Sequence, residues 1–430
     1  MLNHKRFAPI AATAALTMAL TGCGGSTGGG GGAGSDEGPA AENLDARGPI
    51  TYVRGKDNSD VVRPLIKKWN EAHPDQKVTF KEQSDTADQQ HDDLVQNLQA
   101  KNSDYDIMEV DVVWTAEFAA KGWLQPLEGD MAIETDDMLD ATVETGMYND
   151  VLYTAPQRSD GGLLYYRKDL VPKAPETWDE MMGMCDIAEE NDMGCYAGQF
   201  AQYEGLTVNV AEAINTAGGT IISEDGQPTL QTPEAKAGLG NLVEGFESGN
   251  IPEQAITFQE EESRQAFQSG NLLFLRNWPY VYNLAKTEAS SKVQDKFGIA
   301  PLPGKDGPGA SSLGGHNLGI SVYSDHKATA HDFMEYMISA ESQTFRATQG
   351  SQAPTLAALY DDPKLIKQLP YLPVLKTSIE NAVPRPVTPF YPGVSKAIQE
   401  NSYAALQGEK SVDQALADMQ QAIKSAAAGS

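Results

Sequence analysis

Basic residues are scarce in this chain: 32 Lys and Arg stand against 60 Asp and Glu, a formal net charge of -28 over 430 residues. A body this acidic repels a phosphate backbone and an anionic lipid surface, which excludes nucleic acid as a partner. Cysteine is scarcer still, with three residues. Cys185 and Cys195 share the segment MCDIAEENDMGCY, and two thiols are too few ligands for a metal site. In an oxidising compartment they pair into a disulfide that closes a short loop and stabilises by about 2 to 3 kcal/mol; two free thiols are the alternative. Histidine is sparse as well, and His326 and His331 lie at an i, i+5 spacing that does not set two imidazoles on one helix face. They read as solvated loop or helix residues, and neither a metal nor a cofactor is expected. No internal repeat with a period of about 20 to 50 residues is visible.

Long apolar runs are absent but for one, Phe7 to Leu20, which is too short to span a bilayer as a stable helix. Lys5 and Arg6 precede it and Leu20-Thr21-Gly22-Cys23 closes it, so residues 1–22 describe a secretory signal ending in a lipobox. Cleavage leaves Cys23 first, with its thiol and its new amine both open to acylation, an arrangement that anchors a chain to the outer face of the cell membrane. An ordinary cleaved signal followed by a stray cysteine is the alternative. Residues 23–48 are expected as a Gly-rich flexible tether, because their first half is almost all Gly, Ser and Thr and buries too little apolar surface to fold.

What remains is more than one hydrophobic core usually serves, so two domains are expected. Pro49 to Arg54 reads as a strand, Asp60 to His73 as an amphipathic helix, Lys77 to Glu82 as a strand, Asp88 to Ala100 as a helix and Tyr105 to Val110 as a strand. This β-α-β-α-β order signals an α/β sheet. A further strand is expected over Val151 to Pro156, and the first crossing between lobes at Gly161-Gly162. The chain then turns helix-rich, and the return strand is expected over Leu318 to Val322. The boundaries that follow are 49–157 plus 317–361 for lobe 1 and 158–316 plus 362–430 for lobe 2. Two lobes joined by several crossings leave a cleft at their junction, where α/β proteins place ligands, and imply a hinge.

Six segments, DVVWTAEFAAKGWLQPL, DGGLLYYRKDLV, QYEGL, FLRNWPYVY, LGGHNL and RPVTPFYP, occur in this order after the lipobox. Together they resemble the extracellular solute-binding lipoproteins of ABC importers, in particular the branch that captures trehalose, maltose and related α-glucosides. The resemblance implies a two-lobed periplasmic-binding-protein-like α/β fold. It implies a monomer that closes its lobes on a disaccharide and delivers it to the transmembrane subunits of a permease, without catalysis. A disaccharide presents hydroxyls and apolar C–H faces, so its site wants carboxylates, a guanidinium fork and flat aromatics.

By that resemblance Asp111 and Asp160, at strand ends, accept hydrogen bonds from sugar hydroxyls; capping of the helix near Trp114 is the other reading of Asp111. Trp278, in Arg-Asn-Trp-Pro, stacks on a sugar ring or is a core residue. Glu260 either reaches the sugar or serves the dipole of the helix it opens. Arg385, between Pro384 and Pro386, is held for hydroxyl recognition. Gly314 and Gly315 bring backbone donors to the ligand. His316 follows them where trehalose and maltose binders carry an aromatic or apolar side chain. Asp57 and Asn58, beside Lys56, and Asp85 and Gln90 belong to the opposite half of the cleft. Tyr203 and Glu204 either line the cleft or open a helix. A surface glycosidase using Asp111 with Asp160, or Glu260 with Glu262, is the competing reading.

Overall fold

A computed structural model describes residues 39–223 and 225–429. The signal, the lipobox with Cys23 and the glycine run lie outside the described residues. The expected β-α-β-α-β order is present as strands Ile50–Arg54, Val78–Glu82 and Ile107–Asp111 around helices Val62–Ala72 and Ala87–Gln99. The first helix forms because Val62, Leu65, Ile66 and Trp69 fall on one face and are buried together. The three strands are parallel, with Ile50–Arg54 in the middle. Their sheet is covered on both sides: Ile50, Tyr52 and Ile107 join one apolar cluster, whereas Val53, Met108 and Val110 join another.

The sheet is completed by chain that arrives from elsewhere. Ser312–Ile320 lies antiparallel to Ile107–Asp111 on one side and to Thr154–Gly161 on the other, and Val383–Pro384 pairs with its start. A second sheet, in the order Phe297–Ala300, Leu163–Arg167, Leu272–Asn277, Gly194–Ala197, forms lobe 2 with the helices Glu204–Thr216, Pro233–Glu247, Tyr391–Leu406 and Val412–Ala428 around it. Cys185 and Cys195 are bonded, with their Cα atoms 5.1 Å apart.

The crossing at Gly161-Gly162 is where the chain passes between sheets, but the strands around it differ from the sequence reading. Val151–Leu152 belongs to a small hairpin with Met147–Tyr148, and Thr154–Gly161 runs unbroken to the crossing. The return strand begins at Ser312, not Leu318. Gly314 and Gly315 argue against a strand by propensity, yet pairing on both edges overrides that preference. Gly315 has φ +117°, and a Cβ there would stand 2.3 Å from the Arg158 carbonyl, so only glycine fits. Residues 39–48, read as the end of the tether, instead pack on lobe 1. The buried Lys327 ammonium donates to the carbonyls of Pro39 (2.7 Å) and Glu42 (2.5 Å), and the Gly48 N–H donates to Thr329 Oγ1.

Both strand crossings converge on one buried ion pair. Glu212, on the helix Glu204–Thr216, receives Arg276 Nε at 2.7 Å and Nη2 at 2.5 Å. The same carboxylate accepts the Ser312 N–H at 3.0 Å, while the Gly162 N–H reaches Ser311 Oγ at 2.5 Å. Gly162 must lack a side chain, since a Cβ would lie 2.7 Å from Glu212 Oε1. Removing one partner leaves the other charged, buried and unpaired. Glu212→Ala is therefore expected to cost about 3 to 5 kcal/mol, and Glu212→Leu combined with Arg276→Met to recover most of it. Urea unfolding followed by circular dichroism checks both; a Glu212→Ala midpoint equal to wild type would show that the pair does not hold the crossing.

Candidate functional site

Between the lobes lies a cleft of about 1200 Å³, open at its mouth. Its lobe 1 wall is built from three neighbouring strands whose alternate side chains share a face: Glu109 and Asp111, Arg158 and Asp160, Gly314 and His316. Glu109 is the hub. Arg54 Nε lies 2.5 Å from Glu109 Oε2, and Arg158 Nε donates to Oε1 at 3.1 Å. Arg158 extends its other nitrogens to Asp160 Oδ2 (2.5 Å) and His316 Nδ1 (2.6 Å). Burial raises the Glu109 carboxyl, but Arg54, His316 and Arg158 outweigh it and hold it at about 2. Burial, reinforced by Glu109 and Asp111, lifts Asp160 to about 6 against the pull of Arg158. Burial and the adjacent Arg158 depress His316 to about 4, more than Glu109 and Asp111 restore. The imidazole is thus neutral at pH 7, and because Nδ1 accepts from Arg158 its proton sits on Nε2.

Asp111 combines both roles raised by the sequence. Its Oδ1 accepts from the Val113 N–H at 3.2 Å, a local turn, and from Arg385 Nη2 at 3.2 Å in the cleft. Arg385 also donates through Nη1 to Glu204 Oε1 at 2.5 Å, so the guanidinium spans a lobe 1 strand end and a lobe 2 helix start. Its Nε has no hydrogen-bond partner among the described residues. Glu204 further receives Tyr391 Oη and Ser395 Oγ, which places it in the cleft wall and at the head of its helix at once.

The lobe 2 wall carries Trp278, half-buried, with the Arg276 guanidinium 3.9 Å from its ring centroid. Gly314 faces it: a Cβ there would come 2.8 Å from Trp278 Cη2, so the glycine leaves room for the indole. The acids that open the helix Glu260–Gln268 separate by task. Glu262 reaches back to the Gln259 N–H in a capping box, and Glu261 binds Arg264 (2.6 Å) and the Tyr280 hydroxyl (2.7 Å). Glu260 turns toward the cleft and accepts the Tyr203 hydroxyl at 2.7 Å; burial raises it, more than the hydrogen bonds of Tyr203 and Trp278 and the charge of Arg276 lower it.

The structure therefore brings Asp111, Asp160, Glu260, Trp278, Gly314, Gly315, His316 and Arg385 into one cleft, and Asn58, Asp85 and Gln90 line it from the lobe 1 chain that follows the strands Ile50–Arg54 and Val78–Glu82, not from an opposite half. Asp57 does not line it. Its carboxylate accepts the Val62 N–H at 2.7 Å and holds the first helix, because a short acid just before a helix meets unpaired N–H groups there. Arg54, Glu109, Arg158 and Gln352 line the cleft although sequence reasoning passed over them. Asp88 was missed too: it accepts the Glu204 N–H at 3.1 Å and Gln399 Nε2 at 3.4 Å, joining the two lobes beside the cleft. His331, Asp332 and Glu335 offer ligand atoms within 4.8 Å of one another, but Asp332 already pairs with Arg47 and no metal site is assigned.

Residues 55–344 match the bacterial extracellular solute-binding protein family. A relative from Deinococcus radiodurans, described as a "Probable ABC transporter-binding protein", is 34% identical over 327 residues, covering 72% of this chain and 77% of its own. A mannitol-binding protein of Pseudomonas aeruginosa is 25% identical over 402 residues, 85% of this chain and 90% of its own. Among solved structures, maltose-bound T. maritima MalE3 superposes with a TM-score of 0.83 at 33% identity, covering 87% of this chain and 99% of that one.

Two cleft groups titrate with opposite consequences for stability. His316 falls from 6.5 to about 4 on folding, so the stability it contributes is present above pH 6.5 and is lost as pH falls toward 4. Asp160 rises from 3.8 to about 6, so the folded protein holds a proton that the unfolded chain releases, and stability falls as pH rises through that window. Acidification from about pH 6 to about pH 4 should therefore cost His316→Gln less stability than wild type, and Asp160→Asn more. Thermal melts across this range check the signs; two variants that parallel wild type would contradict them.

Proposed function

Because the chain belongs to the bacterial extracellular solute-binding protein family and has its two-lobed periplasmic-binding-protein-like fold, we propose that it captures an α-linked disaccharide, trehalose or maltose, between its lobes. It then presents that sugar to the membrane subunits of an ABC permease. One observation carries the reading: the cleft opposes acceptor carboxylates and guanidinium forks on lobe 1 to an aromatic face on lobe 2. Asp160 and Glu260 suit sugar hydroxyls, the neutral His316 offers an Nε2 donor, and Trp278 offers a flat surface to a C–H face. Likeness to a maltose-bound structure at 33% identity supports the α-glucoside class.

Binding is by hinge closure, in which the ligand favours the closed population because only there do both walls touch it. No bond is made or broken. Several of the acids a hydrolase would need are already engaged: Asp111 and Glu204 by Arg385, Glu262 by its capping box. Lipid attachment at Cys23 keeps the receptor near its permease, and the protein works as a monomer.

Calorimetry against trehalose, maltose, sucrose and longer maltodextrins tests the ligand. A saturable isotherm with a disaccharide is expected, and an isotherm flat for every α-glucoside rejects the reading. Trp278→Ala and Asp160→Ala should each weaken binding by at least about tenfold, or about 1.4 kcal/mol, with little change in fold. Cys23→Ser should release the protein from the membrane fraction on cell fractionation; if it stays bound, the anchor lies elsewhere.

A further inference from the structure

Lobe 2 contains a second cavity, about 880 Å³ including its open mouth, between the helices Glu204–Thr216 and Pro233–Glu247 and the loop at residues 302–305. It shares no lining residue with the cleft. Two aromatic side chains form part of its wall, Trp178 and Tyr196, set edge to face with centroids 5.4 Å apart and planes at 79°. Tyr196 is only 6% exposed. Its hydroxyl has no hydrogen-bond partner among the described residues and is not sealed in the core, so it opens on the cavity and is free to bond what enters. The indole N–H of the half-buried Trp178 is likewise without a partner there.

The electrostatics of this cavity narrow what it takes. Glu212 lines it, but that carboxylate is neutralised by Arg276 and filled by the Ser312 N–H, so it offers no free charge. At the mouth Asp179 and Lys305 carry opposite signs. The remaining wall mixes the apolar Leu242, Leu302 and Pro303 with the neutral polar Asn209, Thr216 and Asn241. A charged ligand would meet both signs together at the mouth and no free charge deeper in, and a purely apolar one would leave the Tyr196 hydroxyl covered and unpaired, at a cost. A neutral ring with an apolar face and hydroxyls along its edge meets both requirements.

We propose that lobe 2 carries a second binding site, separate from the interlobe cleft, for a single neutral polyhydroxylated ring of monosaccharide size. Trp178 packs against the ring face, and the Tyr196 hydroxyl, at its edge, bonds a ring hydroxyl. The site does not rest on the identity of the cleft ligand.

The test uses the intact folded protein with D-glucose, D-galactose and myo-inositol as probes, read by saturation-transfer NMR and tryptophan fluorescence. Ala237→Trp, at an exposed helix position on the cavity rim, plugs the mouth without disturbing the core. Trp278→Ala weakens the cleft instead. Binding of at least one probe is expected to persist in Trp278→Ala, to be lost in Ala237→Trp, and to weaken at least about fivefold in Tyr196→Phe. Binding lost in Trp278→Ala but retained in Ala237→Trp would place the ring in the cleft and overturn the proposal. Absence of saturable binding by all three probes in wild type would also overturn it. Disaccharide affinity, measured on the same Ala237→Trp protein, reports separately on the cleft.

Discussion

The chain crossing between the two lobes is held at the Glu212–Arg276 pair. Two unlike requirements meet there. The crossing strands bring backbone N–H groups that no sheet partner satisfies, and Ser312 finds its acceptor in Glu212. Arg276, in turn, supports the face of Trp278. A buried charge pair is weak evidence for stability by itself, but here it sets geometry: the strand-to-strand passage, the tryptophan of the cleft wall and the floor of the second cavity are positioned by one carboxylate.

On the other wall the governing constraint is alternation along strands. Three adjacent strands present every second side chain to the cleft, so charges two residues apart become neighbours and charges on paired strands become ion pairs. The result is a web of Arg54, Glu109, Arg158, Asp160 and His316 in which the most deeply placed acid is the most firmly ionised and the one farther along is nearly poised. Such a wall keeps a fixed shape while retaining acceptors whose protonation responds to what binds.

Much of this was legible in the sequence. Helical spacing revealed the first helices, the Gly161-Gly162 pair marked the crossing, and the resemblance to solute-binding proteins pointed to Asp111, Asp160, Trp278 and Arg385 as cleft residues. Glu109 and Arg158 were not legible, because a charged residue inside an apolar strand looks like an exposed face until its partner on the neighbouring strand is known. Asp88 was hidden for a similar reason: an acid in a helix's first turn has a local explanation, and only the fold brings it against another helix's N-terminus. Asp57 erred in the other direction, since proximity in sequence to cleft residues says nothing about which way a side chain turns. The pinned segment at residues 39–48 escaped because its anchor, Lys327, lies far away along the chain.

That anchor has a mechanical meaning. The buried ammonium of Lys327 fastens the start of the folded chain to a helix whose Phe333, Met334 and Met337 belong to the lobe 1 core. A pull transmitted along the chain ahead of residue 39 would reach lobe 1 first, some distance in sequence from the crossings between the lobes. Under the proposed hinge closure, a chain held from its N-terminal side would make lobe 1 the fixed jaw and lobe 2 the moving one, so that opening and closing the cleft would carry no load from the attachment.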